Sequence, residues 1–261
     1  VILCLPFKND TTWLECTNQQ MPFGFLGDFT DDRNVIACTP DGGKIMHTPK
    51  YTTAENLEKH NASFVINDKG ELTGNMETVF KGTEYDDRYP IIEEAQTERI
   101  KDIKRYYAIN NLEIEKLAYK QDKSVQPTTT ESLKLAAPEY AEVGNNNIYF
   151  SLNAINRSHA LHHLVNRYNP VCITRGYTEE DEITYTLPKG YRLESEPLHK
   201  SIEKPFGSFT ATMTITGDQL VYKRKFQLKD GNYSKDIYPD MEDFFQSAAD
   251  ADEYNVRLVK N

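Results

Sequence analysis

Cysteine and histidine are the side chains of this sequence best suited to covalent chemistry, because a thiolate attacks carbonyl carbon and an imidazole takes up the released proton. The four cysteines stand at positions 4, 16, 38 and 172, and no two have the spacing of a redox or zinc-ribbon motif. Cys16 follows Glu15, whose negative charge disfavours a thiolate, and Cys172 lies between two apolar residues. We therefore expect the cysteines to be small buried hydrophobic residues, with a Cys4–Cys16 disulfide between adjacent strands as an open alternative.

Metal-ligating residue types form two clusters, and neither has the spacing of a metal-binding motif. His159 and His163 are four residues apart, which would place them on one face of a helix, but no glutamate stands between them and no third ligand lies nearby. The acidic segment 28–32 lacks the ligand spacing of an EF-hand and is typical of a solvated turn. We predict neither a metal site nor a cofactor.

The composition narrows the classes of function. The 261 residues include 30 Lys and Arg against 40 Asp and Glu, so the formal net charge is −10, which argues against nucleic-acid and anionic-membrane binding. No apolar run approaches the roughly 18 residues that a membrane span needs. The sequence also contains no phosphate-binding glycine loop and no serine-hydrolase motif. These observations favour a binding or accessory module without a self-contained active site.

Short segments that alternate between apolar and polar residues predict that strands dominate the fold. The alternation is clearest in 62–66 and 72–80, which the turn 67–70 separates, and it is less clean from Leu112 to Tyr119. A polar turn, Lys8-Asn9-Asp10, separates two earlier predicted strands.

Two segments predict helices. Apolar residues three or four positions apart run from Ile92 to Tyr107, and a short helix is expected to begin near Pro239, because proline is tolerated in a first turn. The fold class that follows is mainly β, an antiparallel β-sandwich with one or two helices.

Two sets of motifs, in a shared order along the chain, resemble a Bacteroidetes family of transglutaminase-like proteins. The first set resembles the end of the family's papain-like core and consists of Asp10–Thr17, Pro22-Phe23-Gly24, Phe29–Arg33 and Gly42-Gly43-Lys44. The second set resembles the family's C-terminal β domain and consists of Arg175-Gly176-Tyr177, Tyr185–Tyr191, Pro205-Phe206-Gly207, Tyr222–Phe226 and Asp230-Gly231. The resemblance covers nearly the whole chain.

The resemblance implies an N-terminal β domain, a transglutaminase-like core and a C-terminal β domain. Residues 1–50 would be the last strands of the core, and residues 51–261 would be the C-terminal β-sandwich. The chain begins with Val rather than Met, and its first residues read as a buried strand, so we expect a fragment or a processed chain. The resemblance also implies a periplasmic or exported location.

The implied chemistry is that of a Cys-His-Asp triad acting on a carboxamide or peptide carbonyl. The cysteine would lie well upstream and the histidine just before the strand that begins at Val1. The carboxylate position falls at Glu15, which is Glu where the general pattern has Asp. We expect the chain to be inactive by itself, with a peptide or protein substrate reached through the parent core.

Two alternatives belong to other classes of function. The β-sandwich could be a module that binds peptide or glycan, with exposed tyrosines such as Tyr149 and Tyr177 as contacts. It could instead be a structural spacer, which predicts tight contact between residues 1–50 and the later sandwich and no ligand pocket.

Overall fold

The computed structural model describes residues 1–7, 10–107 and 109–261, so two residues of the predicted turn at Lys8-Asn9-Asp10 lie outside the described part of the chain. The chain starts with two antiparallel hairpins, joined by an irregular aromatic segment. The first pairs β1 (Ile2–Phe7) with β2 (Asp10–Glu15), and the second pairs β3 (Asn34–Thr39) with β4 (Gly42–His47).

The central element is a sheet of eight strands. In chain order these strands are β5 (Leu57–Ile66), β6 (Leu72–Lys81), β7 (Glu113–Asp122), β8 (Thr128–Ala137), β12 (Tyr177–Thr186), β14 (His199–Lys204), β15 (Gly207–Thr216) and β16 (Gln219–Leu228). Their order across the sheet is β14-β15-β16-β12-β5-β6-β8-β7. The sheet therefore joins strands from the middle of the chain to strands from its last third.

Two smaller sheets accompany the large one. A four-stranded sheet has the order β13-β18-β10-β9, and its strands are β9 (Glu142–Gly144), β10 (Asn147–Ser151), β13 (Tyr191–Leu193) and β18 (Asn255–Lys260). A short ladder pairs β11 (Val171–Ile173) with β17 (Gly231–Tyr233).

Three α-helices lie in the described residues. They are α1 (Thr83–Arg88), α2 (Gln96–Tyr106) and α3 (Tyr238–Asp252), with 3₁₀ turns at Tyr89–Glu93 and Lys235–Ile237. The helix predicted near Pro239 is confirmed as α3. The helix predicted from Ile92 begins four residues later, because Pro90 opens a 3₁₀ turn that holds Ile92. Helix α1 was not predicted, because its six residues are too few to show a helical period.

The mainly β fold class is confirmed, and the large sheet is mixed rather than wholly antiparallel. Strand β12 runs parallel to β5 and antiparallel to β16. A parallel pair needs a long crossover, which the residues between β5 and β12 provide. Alternation along a strand reports which side chains face the core and says nothing about the direction of the neighbouring strand, so the parallel pair was not predictable.

Strand β7 explains the weak alternation after Leu112. Its ladder with β8 shifts register between Ile114 and Lys116, which marks a β-bulge. A bulge inserts one extra residue into one strand and reverses the inside–outside phase beyond it.

One hydrophobic core fills the space between the large sheet, α2, α3 and the four-stranded sheet. Phe64 of β5 and Phe226 of β16 contribute from the sheet, Phe244 from α3, and Phe150 from β10. Phe226 and Phe244 are in ring contact, with centroids 5.5 Å apart. The opposite face of the large sheet carries polar side chains and is exposed.

Candidate functional site

Glu15, the one predicted site residue, ends strand β2 and is half-buried. Its Oε1 atom accepts hydrogen bonds from the Thr17 backbone amide at 2.8 Å and from the Thr17 hydroxyl at 2.6 Å. The nearby Trp13 of the same strand is buried. Glu15 pairs across the ladder with Ile2, near the start of β1.

The carboxyl group of Glu15 is held in its ionised form. Partial burial alone would raise its pKa, but the hydrogen bonds from Thr17 and the Cys16 amide outweigh burial, so the pKa lies below the ordinary glutamate value. An ionised carboxylate with a fixed orientation can accept a hydrogen bond from an imidazole and stabilise the imidazolium form. The assignment of Glu15 to the triad stays a prediction.

The segment after β2 is fastened to the sandwich by Arg175, which precedes β12. The Arg175 guanidinium makes a bidentate contact with the carboxylate of buried Asp31 and donates to the carbonyl oxygen of Asp28 at 2.8 Å. The backbone amide of Asp28 in turn donates to Asp86 of α1 at 2.8 Å. These contacts hold the acidic segment 28–32 against two elements of the later chain.

The carboxylate of Asp32, at the end of the acidic segment, also lies close to basic side chains. It lies 2.8 Å from His47 and 3.1 Å from Lys50, and Lys50 also reaches Asp230 at 2.6 Å. The sequence interpretation of 28–32 as a solvated turn is wrong for Asp31, which is buried and paired with a residue 144 positions away. Among the described residues, no three His, Cys, Asp or Glu side chains are grouped to hold a metal ion.

The cysteines are all free, and the expectation of buried positions fails for most of them. Cys16, Cys38 and Cys172 are exposed and Cys4 is half-buried. The apolar neighbours of Cys172 face inwards while its own side chain points outwards, because β11 alternates buried, exposed and buried. Cys4 lies opposite Trp13 rather than Cys16, and the open alternative of a Cys4–Cys16 disulfide is not formed.

His159 and His163 do not share a helix face, because the segment around them is an irregular loop. Long-range hydrogen bonds hold this loop in place. Asp252 accepts from the Ser158 amide at 2.8 Å, Glu242 accepts from the Leu164 amide at 3.1 Å, and the Tyr238 hydroxyl donates to the His162 carbonyl at 2.8 Å. All three partners lie on α3.

A buried network of charged side chains, which the sequence analysis missed, lies in the core. His60 of β5 is fully buried, and its Nδ1 atom lies 2.7 Å from Asp181 of β12. Its Nε2 atom lies 3.0 Å from Glu58, but no aligned hydrogen bond forms there, so that contact is Coulombic. Although burial opposes charge on the ring, the two carboxylates raise the pKa of His60 to about 10.

Arg224 of β16 continues the network. Its guanidinium donates to Asp252 of α3 at 2.9 Å, to Asp181 at 3.2 Å and to Glu179 at 2.8 Å. It also donates to the hydroxyl of Ser158 at 3.0 Å. The network thus ties β5, β12, β16, α3 and the histidine loop together.

A signal for this network was present in the sequence. His60 stands in phase with the buried Ala62 and Phe64, and Arg224 with the buried Tyr222 and Phe226. A charged residue in the apolar phase of a strand predicts a buried partner of opposite charge. The charges of the network are paired with one another, and the Ser158 hydroxyl accepts a hydrogen bond from Arg224, so a structural role fits best.

One family model matches part of the chain. Residues 146–258 match a domain of unknown function that has a solved structure (DUF3858). That segment resembles DUF3858. The matched segment begins just before β10 and ends in β18, and these two strands pair with each other. The DUF3858 segment also supplies β12, β14, β15 and β16 of the large sheet, whose other four strands lie before it.

One solved structure is similar over part of the chain. It is a crystal structure from Parabacteroides distasonis described as that of "a putative protease", with 21% sequence identity and a TM-score of 0.32. The match covers 41% of this chain and 20% of that protein, so the chain spans about a fifth of its length. No curated protein matches the chain.

Membrane insertion through a helix finds no support in the described residues. None of their helices has both the length and the apolar character that crossing a bilayer demands.

Proposed function

We propose that this chain is the C-terminal part of a transglutaminase-like protein of the Bacteroidetes envelope, and that Glu15 supplies the carboxylate of its Cys-His-acid triad. Residues 1–50 then complete the catalytic core, and 51–261 form an accessory β-sandwich that supports it. The substrate class is a peptide or protein carboxamide, processed by acyl transfer or amide hydrolysis. By itself the chain is inactive, because it lacks the cysteine and the histidine.

The observation that carries the proposal is the state of Glu15 at the end of the β1–β2 ladder. Its carboxylate is ionised and oriented by Thr17. Because Ile2 pairs with Glu15, the same register would place a residue just before Val1 opposite Thr17, on the same side of the ribbon as Glu15. The resemblance assigns the triad histidine to that position, so register would bring an imidazole beside the carboxylate.

Exposed apolar side chains on the first hairpins support the same proposal. Ile36 and Ile45 face each other across the β3–β4 ladder with 74% and 80% of their surface exposed. Leu3 and Phe7 of β1 are also more than half exposed. Apolar surface of this kind marks a contact with further protein, which the upstream core would provide.

The test uses the longer native chain that carries the upstream segment. Glu15→Gln should lower kcat for amide hydrolysis or acyl transfer about 10³- to 10⁴-fold, because the imidazole loses its orienting carboxylate. Glu15→Asp, which restores the usual triad carboxylate, should recover much of the rate. Asp41→Asn, in the exposed turn of the second hairpin, is the matched control and should leave kcat unchanged.

Two results would refute the proposal. Equal rates for Glu15→Gln and the parent would remove Glu15 from the triad. Turnover of an amide substrate by the 261-residue chain alone would show a different active site.

A further inference from the structure

The exposed face of the large sheet carries a broad trough that crosses five strands, β12, β5, β6, β8 and β7. Its volume is about 700 Å³. A second hollow of about 520 Å³ adjoins it and shares Ser63, Asn75, Lys134 and Thr184 with it. Volumes of this size are typical of ligand sites.

The strand registers arrange the lining side chains in two rows across the sheet. One row consists of Thr184, Ser63, Asn75, Lys134 and Lys116, and the other of Glu182, Asn61, Glu77, Ser132 and Ala118. Neighbouring strands lie about 4.8 Å apart. A linear oligomer that lies across the strands would therefore contact one new side chain for each strand that it crosses.

The amides and hydroxyls of the trough are available to a ligand. In the part of the chain that the structure describes, the side chains of Asn61, Asn75, Ser63, Ser132 and Thr184 have no hydrogen-bond partner. Each of these groups can both donate and accept a hydrogen bond. The backbone groups of β12, β5, β6 and β8 are already paired on both sides, so the trough offers side chains only.

The charges that line the trough cancel. Two lysines, 116 and 134, stand against two glutamates, 77 and 182. Lys134 is paired with Glu115 at 2.6 Å, and Glu182 with Lys223 at 3.1 Å. A nucleic acid needs a basic surface, which this face lacks. An extended peptide is bound by sheets mainly through free edge-strand backbone, which the four inner strands also lack.

We propose that this trough binds a neutral oligosaccharide, several sugar units long, laid across the strands. Sugar hydroxyls both donate and accept hydrogen bonds, as the amides and hydroxyls of the trough do, and they carry no charge to be compensated. The proposal does not depend on the role of Glu15. This site does not include Tyr149 and Tyr177, the contacts considered from the sequence. Tyr149 lies under Arg257, and Tyr177 stacks on Phe226.

The test is a panel of immobilised neutral oligosaccharides probed with the full 261-residue chain, followed by titration calorimetry on each hit. Asn61→Ala/Asn75→Ala should weaken binding about tenfold or more, because two amide contacts are lost. The matched control is Thr210→Ala/Thr214→Ala, two exposed outward positions on β15 that do not line the trough. It should bind as the parent does.

Footprinting separates lost binding from lost folding. Hydroxyl-radical labelling of the parent with a bound glycan should show protection of β5, β6 and β8 at their exposed residues, with no change on β15. The proposal is overturned if no neutral glycan on the panel binds, if binding survives in a folded Asn61→Ala/Asn75→Ala variant, or if protection falls elsewhere. Preferential binding of an extended peptide in the trough would overturn it as well.

Discussion

Buried charges give the sandwich core a specific arrangement at the residue scale. Asp181 contacts both His60 and Arg224, and each of its two oxygens serves one of these cations. A buried ion pair contributes little net stability compared with apolar packing, but removal of one partner leaves the others uncompensated in a medium of low dielectric. Removal of the Asp181 carboxylate should therefore lower the free energy of unfolding strongly.

Asp181→Asn should lower the free energy of unfolding by about 3–5 kcal/mol, because His60 and Arg224 lose a shared negative charge. The measurement is urea denaturation at neutral pH. Glu180→Gln is the matched control: it is the next residue of β12, and it pairs with Lys225 and Lys59 near the surface. Its effect should stay below about 1 kcal/mol. Similar losses for both variants would contradict a special role for the buried network.

Glu84 of α1 should make stability depend on pH. Burial raises the pKa of this carboxyl to about 8, and the neighbouring carboxylates of Glu58, Asp87 and Glu179 add to the shift. Unfolded glutamate releases its proton near pH 4.5, so the unfolded state gains stability relative to the folded state as pH rises from about 4.5 to 8. The contribution of Glu84 is therefore favourable below this window and is lost across it.

Glu84→Gln removes that titration. The variant should unfold at a higher urea concentration than the parent above pH 8, and the two midpoints should converge below pH 4.5. Glu93→Gln, on the exposed end of the following 3₁₀ turn, is the control and should follow the parent. Parallel curves for Glu84→Gln and the parent over this whole range would contradict the assignment.

At the scale of elements, the edges of the large sheet are protected against pairing with other chains. Strand β7 has a bulge between Ile114 and Lys116 and carries alternating charges, and β14 presents charged residues at the other edge. Bulges and edge charges are common devices against strand addition. The described strands of the first two hairpins instead expose apolar residues such as Leu3, Ile36 and Ile45.

Hydrogen exchange should therefore be faster in β1–β4 than in β5, β6, β12 and β16 of the 261-residue chain. Two-stranded ribbons are marginal without a packed face, whereas the central strands have neighbours on both sides. Exchange followed by mass spectrometry resolves the two groups. In the longer native chain of our proposal, β1–β4 should become protected. Equal protection of both groups in the shorter chain would mean that the hairpins are stable without a partner.

For the whole molecule, the large sheet is the element that joins distant parts of the sequence. Its parallel pair, β5 with β12, links the strands before residue 138 to the DUF3858 segment. The Arg175 and Lys50 contacts then fasten the N-terminal segment to the same region. The division at residue 50 stays a prediction, and the contacts of Asp28 with Arg175 and of Lys50 with Asp230 join the two parts.

Local patterns were sufficient for a part of this architecture. Alternation from Ala62 to Phe80 identified a hairpin and its buried face, and Pro239 marked the start of α3. The less regular stretch after Leu112 already contained the bulge of β7. Each of these features depends on residues that are close together in the chain, so the sequence carries them directly.

The sequence by itself determined which residues form the apolar face of a strand, where the turns fall and that strands dominate. Only the tertiary structure decided that β5 lies beside β12, that Asp31 meets Arg175, and that His60, Asp181 and Arg224 share one buried site. A side chain's phase fixes the face on which it lies, but its partner is chosen by packing between strands far apart in the chain. Long-range packing also placed Thr184 and Ser132 beside the amides of the β5–β6 hairpin in the trough, which no local pattern encodes.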